Sequence, residues 1–340
     1  MNDGTRIESA MGSADVVPTK SDFLAFQDDF FKSLERAQKS VNTIKNYRTD
    51  LNCFNNFLNE KSKDMVVQEF NPTNVEEYAS YLDGKYPSSN SRRRRVQTLR
   101  IFFDFLLNRE VFRENPIKKI TPSPKFLDIP RPTSMNHIIT LWDHLFKEGQ
   151  TSDLFQSLLS YRNMVIFLLV YGGGLKVSEL SSLKKEHLFL GKNPRVMIIP
   201  PKRDPYTIPL HPLFTNVHEK YIKLFSRVQK ETNSNNFYDR FDQEFKEVLF
   251  NANHYRILAG GISPRGLEII FEELRKKLKI ELTPKSLRQS CIFKWIHQKL
   301  PESQIKEWMG VAPSYSLKTY YELSENHIFH ENFMDQVSIS

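Results

Sequence analysis

The sequence predicts a mainly α protein with a small β component, organised as two domains. Apolar residues recur every three or four positions over most of the chain, which is the period of a helix. Only two short stretches, 195–200 and 206–210, have the character of strands, and they flank a polar turn typical of a hairpin. A chain of 340 residues with 39% hydrophobic content is also long enough for two separate cores.

Charge and cysteine content restrict the kind of partner and the cellular compartment that we expect for this protein. The chain has 48 Lys and Arg against 40 Asp and Glu, a net charge of +8, which favours a polyanionic partner. Two distant cysteines, Cys53 and Cys291, predict neither a disulfide framework nor a metal centre, and suit a reducing compartment. No secretory signal is visible at the N-terminus, and the apolar stretch 164–171 is too short to span a bilayer. We therefore expect a cytoplasmic protein that binds nucleic acid, with no membrane partner.

The first domain is predicted over residues 21–119, after a polar leader at 1–20 that we expect to be disordered. Its first helix follows from the spacing of Phe23, Phe26 and Phe30. A second helix follows Ser40, and a third begins at the Asn71-Pro72 pair, where proline suits a first helical turn. A fourth runs from 91 to 107. Four helices in about 90 residues predict a small helical bundle.

Prolines then predict a linker over 120–133, followed by a second domain at 134–325 and a tail at 326–340. In the second domain we expect helices followed by the hairpin and then further helices. The predicted helices are 137–147, 152–171, 212–230, 241–250, 264–278, 284–299, 302–309 and 316–323, with a loop at 231–236.

Four consecutive arginines, Arg92, Arg93, Arg94 and Arg95, open the fourth helix, and Arg100 follows. Guanidinium groups form planar contacts with phosphate, and a helix N-terminus adds positive potential. The tract therefore predicts contact with a DNA backbone. The alternative is a charged helix face that is simply solvated.

Three motifs in the second domain carry a specific resemblance. The first is Tyr-Gly-Gly-Gly-Leu-Lys-Val-Ser-Glu-Leu at 171–180, and the second is Thr-Pro-Lys-Ser-Leu-Arg-Gln-Ser at 283–290. The third is Trp-Met-Gly-Val at 308–311, with Tyr320 ten residues after Gly310. In order and spacing these motifs resemble the signature boxes of the tyrosine recombinases, the phage-integrase and Xer-like family. Further matches, including 249–250, 260–265 and 115–116, extend the resemblance over about 22–325.

The resemblance implies an N-terminal four-helix SAM-like core-binding domain and a C-terminal α+β catalytic domain. Family members cut DNA by attack of a tyrosine hydroxyl on phosphate, forming a 3′-phosphotyrosyl link. Two arginines stabilise the charge on the phosphate, a hairpin lysine protonates the leaving oxygen, and two histidine-type positions assist. The reaction needs no metal, ATP or other cofactor.

Carried over by position, the resemblance places Tyr320 on the nucleophile and Arg288 on the second arginine. Lys176 falls on the first arginine, where lysine keeps the charge but lacks the planar fork. Lys285 falls on the first histidine, a replacement found in some members. Val311 falls on the histidine of the third box and cannot transfer a proton.

The hairpin lysine is ambiguous, because Pro201 aligns with it and Lys202 comes one residue later. Lys202 either serves as the general acid or merely contacts the DNA backbone. We expect Lys45, Arg203 and Arg265 to contact DNA as well.

The resemblance also implies the partners: double-stranded DNA, and three further copies or related subunits in a tetramer on paired DNA sites. Without DNA a monomer is possible. Apolar residues in the tail would dock either on a neighbouring subunit or on their own domain.

Two functions follow. The first is a divergent recombinase of weak activity, with Tyr320, Arg288, Lys176, Lys285 and Lys202 around the phosphate. The second is a catalytically silent member of the family that binds DNA as an accessory or architectural factor. Lost catalytic groups do not predict lost DNA binding, which depends on many distributed phosphate contacts.

Overall fold

The computed structural model describes residues 20–61, 72–111, 114–119, 129–201, 203–231, 245–253, 257–325 and 333–337. Internal contacts divide the chain into two units, 1–127 and 128–340. The division falls inside the stretch predicted to be the linker. The predicted leader up to residue 19, linker residues 120–128 and most of the predicted loop at 231–236 lie outside the described residues.

The first unit is a bundle of four helices, as predicted. They are α1 (Lys20–Arg36), α2 (Val41–Lys61), α3 (Pro72–Lys85) and α4 (Ser89–Asn108), followed by a 3-10 turn at Pro116–Lys119. Aromatic rings fill the centre. Phe54 lies 5.2 Å from Tyr78 and 6.4 Å from Phe103 between ring centroids, both edge-on. Edge-to-face rings at these separations are favourable beyond the area they bury.

The second unit contains nine helices and five strands within the described residues. The helices are α5 (Met135–Gly149), α6 (Leu154–Phe167), α7 (Val177–Ser181), α8 (Leu213–Glu231), α9 (Pro264–Leu278), α10 (Pro284–His297), α11 (Glu302–Met309), α12 (Lys318–Ser324) and α13 (Phe333–Gln336). The strands are β1 (Leu188–Phe189), β2 (Arg195–Ile198), β3 (Tyr206–Pro209), β4 (Phe250–Ala252) and β5 (Ile257–Gly261).

Helix α6 is the centre of the second core. Asp153 caps its start by accepting hydrogen bonds from the backbone of Phe155 and Gln156, at 2.9 and 3.0 Å. The helix continues into a π-helical turn at Leu168–Gly172. The stretch Leu154–Gly172 is long and apolar enough to cross a membrane, but 72% of its most apolar part is buried inside the unit. Since α5 and α8 pack against it, this stretch is a core helix rather than evidence of a membrane span.

The predicted hairpin is the β2–β3 pair, with Val196 opposite Ile208, and β1 adds a third antiparallel strand that the sequence pattern had not indicated. The helix predicted at 241–250 is wrong where the structure describes it. Residues 245–249 are not helical, and β4 pairs antiparallel with β5 from Phe250 onward. Val248, Leu249 and Phe250 are all buried. Val248 and Leu249 precede β4, and a short run that is apolar at every position has no periodicity that separates a helix from other structure.

Both ends of the second unit fold back onto it. At one end, the Arg131 backbone donates to the Gln289 side chain at 3.0 Å, and Thr133 bonds to Ser286 at 2.8 Å. At the other end, Phe333 of α13 packs edge-on to Trp142 and Tyr171. The described part of the tail therefore docks on its own domain, which was one of the two predicted arrangements.

Candidate active site

A glycine turn after the π-helical segment presents the first motif. Gly174 has a φ of +67°, and a Cβ at this position would lie 2.5 Å from the Trp295 ring. Only glycine fits both the left-handed conformation and this close approach. The carbonyls of Tyr171 and Gly172 accept hydrogen bonds from the Lys294 ammonium at 3.2 and 3.4 Å. Burial lowers the pKa of Lys294.

Arg288 joins two of the motifs through its guanidinium. Its Nε donates to the carbonyl of Gly174 at 2.6 Å, and its Nη2 donates to the carbonyl of Met309 at 2.6 Å. The side chain projects from the first turns of α10, which Thr283 caps by accepting from the Ser286 backbone at 2.9 Å. The second box therefore holds its arginine against the glycine turn and the end of α11.

Three cationic side chains converge where α11 ends. The successive carbonyls of residues 309, 310 and 311 accept from Arg288, Lys176 and Arg203 respectively. The distances are 2.6 Å to Arg288 Nη2, 3.4 Å to Lys176 Nζ and 3.3 Å to Arg203 Nη1. Gly310 adopts a φ of +63°, and a Cβ there would lie 2.7 Å from Lys176 Nζ and 2.9 Å from Arg203 Nη2. We call these three side chains the cation cluster.

The carboxylate of Glu179 fixes Lys176 from the other side. Glu179 accepts from the Lys176 backbone at 2.8 Å and lies 3.3 Å from its ammonium. Lys176 is therefore held in place, with one ion pair and one carbonyl contact. Its side chain is still 36% exposed, which leaves a face open to a ligand.

Tyr206, at the start of β3, lies beside the cation cluster and was not singled out by the sequence analysis. Its hydroxyl lies 3.3 Å from the Cβ position of Gly310. Burial raises the pKa of Tyr206 to about 12, with Glu179 adding to the shift and Arg203 and Arg288 opposing it. A tyrosine in a hairpin carries no motif, so nothing in the sequence distinguished this residue.

Tyr320 is buried, at 7% exposure, near the start of α12. Its ring lies 5.6 Å from that of Phe293, which belongs to the same helix as Arg288. The neighbouring Tyr321 is 38% exposed and lies near Glu302 and Lys306. The two adjacent tyrosines thus have different surroundings, and Tyr320 is the one that packs on α10.

Lys285 lies on a separate cleft of about 450 Å³ between α9 and α10, together with Arg265 and Arg275. Val177, which follows Lys176, lines the same cleft. Arg265 also pairs with Glu268 at 3.1 Å. Lys202 lies outside the described residues.

In the first unit, two of the four consecutive arginines bind a buried carboxylate. Arg94 donates to Asp50 at 2.8 Å, and Arg95 Nε lies 3.9 Å from the same oxygen. Arg95 is only 8% exposed and lies over the Tyr86 ring at 3.7 Å. Burial raises the pKa of Asp50, while Thr98, Arg94 and Arg95 lower it. Arg95 is therefore a structural residue that joins α4 to α2, not an exposed contact.

The other basic residues of this unit differ in their exposure and in their ion pairs. Arg92 pairs with Asp83 at 2.8 Å and donates to the Tyr86 carbonyl. Arg93 is half-buried and forms no ion pair with the residues that the structure describes. Lys45 on α2 is exposed, and Arg100 is half-buried further along α4. Of the tract, Arg93 and Arg94 are the arginines best placed to meet a polyanion.

Known proteins share this sequence pattern. Residues 28–110 match the family model of the phage integrase N-terminal SAM-like domain. The tyrosine recombinase XerC of Staphylococcus carnosus (strain TM300) is 28% identical over 195 residues, or 56% of this chain and 60% of that protein. The tyrosine recombinase XerC of Listeria monocytogenes serotype 4b (strain F2365) is 23% identical over 313 residues. That alignment covers 89% of this chain and 94% of the relative.

The fold has solved counterparts too. A crystal structure of a lambda integrase tetramer bound to a Holliday junction matches with a TM-score of 0.62 at 11% identity, covering 96% of this chain and 82% of that one. Together with the motifs, the sequence matches place the chain in the tyrosine recombinase class, with a phage-integrase SAM-like domain followed by a domain that has the lambda integrase fold. Within that class the chain is Xer-like.

Proposed function

We propose that this protein is a site-specific DNA recombinase that cleaves and rejoins strands through a phosphotyrosyl link to Tyr320. The observation that carries the proposal is the cation cluster, because three positive side chains meet there beside the helix that packs against Tyr320. Positive groups held close together and only partly paired with carboxylates suit a phosphate diester, whose negative charge grows in the transition state.

In this proposal Arg288 holds the scissile phosphate, and the two carbonyls that it contacts fix the plane of its guanidinium. Lys176 supplies a second charge that Glu179 orients. Lys285, one helical turn before Arg288 on α10, contacts the DNA strand from the adjoining cleft. Lys202 is the general acid for the leaving oxygen, following the resemblance.

We expect slow chemistry. Removal of one preorganised donor to a developing oxyanion costs about 10²–10³ in rate. Loss of a general acid or base costs about 10²–10⁴. Lysine at 176 keeps the charge but not the paired hydrogen bonds, and Val311 contributes neither. Since such losses are not additive within one site, the proposal is a weak enzyme rather than none.

DNA binding rests on a larger set of residues than the chemistry. In the first unit we assign it to Lys45, Arg93 and Arg94, with Arg92 and Arg100 beside them. In the second unit Arg265 is exposed at the start of α9. By analogy with the tetrameric lambda integrase complex, we propose a tetramer on paired DNA sites. We also propose that the protein acts in the cytoplasm.

The second candidate is a catalytically silent DNA-binding protein. It is favoured by valine at 311, because valine cannot move a proton, and by the burial of Tyr320 at 7% exposure. Such a protein would keep its full affinity for DNA through the distributed contacts and would form no covalent link.

A covalent-trap assay separates these candidates. The purified full-length protein is incubated with sheared genomic DNA of its own source, then denatured, and DNA that stays attached to protein is recovered and sequenced. Tyr320→Phe is the test variant, and Tyr321→Phe is its matched control because it removes the hydroxyl of the adjacent residue. We expect adducts from the wild type and from Tyr321→Phe, and none from Tyr320→Phe.

Two outcomes would overturn the proposal. Adducts that vanish in Tyr321→Phe but persist in Tyr320→Phe would move the nucleophile. No adduct from the wild type, with DNA still retained before denaturation, would establish the silent alternative.

A further inference from the structure

Arg203 reaches the same point as Lys176 although it comes from a different element. Its Nη1 donates to the Val311 carbonyl, and its Nη2 lies 2.9 Å from the Cβ position of Gly310. Lys176 Nζ lies 2.7 Å from that position. Two cations from different elements therefore lie against the same glycine. Glu179 offsets part of the mutual repulsion, and an anion bound between the two cations would offset the rest.

The Tyr206 hydroxyl adds a neutral donor beside the same glycine. Its oxygen is buried and has no hydrogen-bond partner among the residues that the structure describes. A buried hydroxyl without a partner costs free energy, so this hydroxyl is expected to bind a water molecule or a ligand. Arg203 also lies near the ring, 5.7 Å from its centroid.

The position of both residues matches what the catalytic boxes lack. Lys176 brings no guanidinium to the first box, and Val311 brings no donor to the third. The hairpin places a guanidinium next to Lys176 and a hydroxyl next to Gly310, immediately before Val311.

We propose that Arg203 and Tyr206 are ligands of the scissile DNA phosphate, replacing the arginine fork absent at Lys176 and the hydrogen-bond donor absent at Val311. The proposal rests on the recombinase function inferred above and assigns two more residues to its site. Because the pKa of Tyr206 is raised to about 12 by burial, its hydroxyl keeps its proton at neutral pH and donates a hydrogen bond.

A purely structural role is the competing explanation. Cations near the last carbonyls of a helix interact favourably with its negative end, and α11 ends at this point. A structural role predicts that changing Arg203 alters stability without altering anion binding. It gives no role to the hydroxyl of Tyr206, which bonds to none of the described residues.

The test uses two independent measurements on the full chain. Tyr206→Phe removes only the hydroxyl, and Arg203→Gln removes the charge. Tyr315→Phe is the control, since Tyr315 is an exposed tyrosine beyond the third box. First, thermal unfolding is followed against inorganic phosphate at constant ionic strength, because a bound ligand raises the midpoint. Second, single-turnover cleavage is timed on a DNA site recovered by the covalent trap.

We expect the half-saturating phosphate concentration to rise roughly tenfold in each test variant, as for a lost hydrogen bond to a charged group. Cleavage should slow by about 10²-fold in each test variant. The Tyr315→Phe control should match the wild type in both measurements. If phosphate titrates Tyr206→Phe and Arg203→Gln as it does the wild type, the proposal is wrong, whatever their stability.

The two measurements also keep this proposal separate from the recombinase function. If the wild type forms no covalent adduct, the recombinase function fails, yet the phosphate titration still decides whether Arg203 and Tyr206 bind the anion. If cleavage proceeds and Tyr206→Phe cuts at the wild-type rate, the assignment of Tyr206 fails while the recombinase function stands.

Discussion

At the scale of single residues, the glycine turn controls the geometry of Arg288. The carbonyl of Gly174 accepts from Arg288, and the same residue lies against Trp295 in a left-handed conformation. The contact between Gly174 and Trp295 of α10 therefore fixes the position of the carbonyl that holds the Arg288 guanidinium. The first and second boxes are coupled through one backbone oxygen and one indole ring.

We predict that Gly174→Ala lowers stability and abolishes cleavage together. A methyl group 2.5 Å from the Trp295 ring forces a shift, and overpacking of this kind costs about 1–3 kcal/mol. Left-handed backbone adds about 1 kcal/mol for a residue other than glycine. The checks are urea unfolding followed by tryptophan fluorescence, and the covalent-trap yield.

Gly191→Ala is the matched control, because Gly191 also has a positive φ but would place its Cβ in open space. It should lose some stability and keep cleavage. Equal loss of cleavage in both variants would contradict the role given to the Gly174 carbonyl.

Residue-level prediction succeeded where a motif fixed the spacing and failed where tertiary contact supplied the chemistry. Lys176 and Arg288 lie 112 positions apart, and only the resemblance joined them before the structure did. Arg95 had the same charge as its neighbours, so sequence alone could not show that it faces Asp50. Tyr206 acquires its importance from Gly310, which is far along the chain.

At the scale of elements, the Asp50 carboxylate ties α2 to α4. Its side chain is fully buried, and it is contacted by Arg94, Arg95 and the Thr98 hydroxyl, the last at 2.9 Å. Arg95 in turn is buried beside it. The basic start of α4 is therefore built on an internal ion pair, and only part of its charge is left for a partner.

We predict that Asp50→Ala destabilises the first unit by about 3–5 kcal/mol, because it leaves Arg95 buried without its counter-ion. Asp29→Ala is the control, since Asp29 forms exposed ion pairs with Lys32 and Arg109, each worth about 0–1 kcal/mol. All three tryptophans, Trp142, Trp295 and Trp308, belong to the second unit.

Circular dichroism should therefore show an earlier unfolding step in Asp50→Ala, while the tryptophan transition stays in place. If the two aspartate variants gave the same circular dichroism curve, the internal ion pair would not be the stabilising contact described here.

The elements themselves were predictable to different degrees. The helices of the first unit follow the apolar spacing closely, because each has one buried face. The segment that leads into β4 does not, since Val248, Leu249 and Phe250 are buried in succession and carry no alternation. The turn Leu168–Gly172 was read as the end of one long helix, because widening to a π-helix leaves no mark on the apolar pattern.

At the scale of the whole molecule, the tail determines what apolar surface the second unit shows. Phe333 and Met334 are buried, and Asp335 holds their helix by a hydrogen bond with His211 at 2.7 Å. Phe333 covers Trp142 and Tyr171. The chain therefore covers this apolar surface with its own tail.

We predict that the protein sediments as a monomer without DNA at micromolar concentration. Phe333→Ala should uncover Trp142 and Tyr171 and shift the boundary towards larger species as concentration rises, because exposed apolar patches promote association. Gln336→Ala, on the exposed face of the same helix, should sediment like the wild type. A wild-type dimer, or no difference between the two variants, would show that α13 does not cover an association surface.

Gly310 has a consequence for how this protein tolerates sequence change. The charges around it come from separate elements, α10, the hairpin and the start of α7, so a change at one of them leaves the other two in place. The glycine has no such substitute, because a methyl group would occupy the very space that the cations surround, in a backbone conformation that L-residues disfavour. A change of one positive side chain is therefore expected to weaken the cluster, whereas a side chain at position 310 is expected to displace two of its members at once.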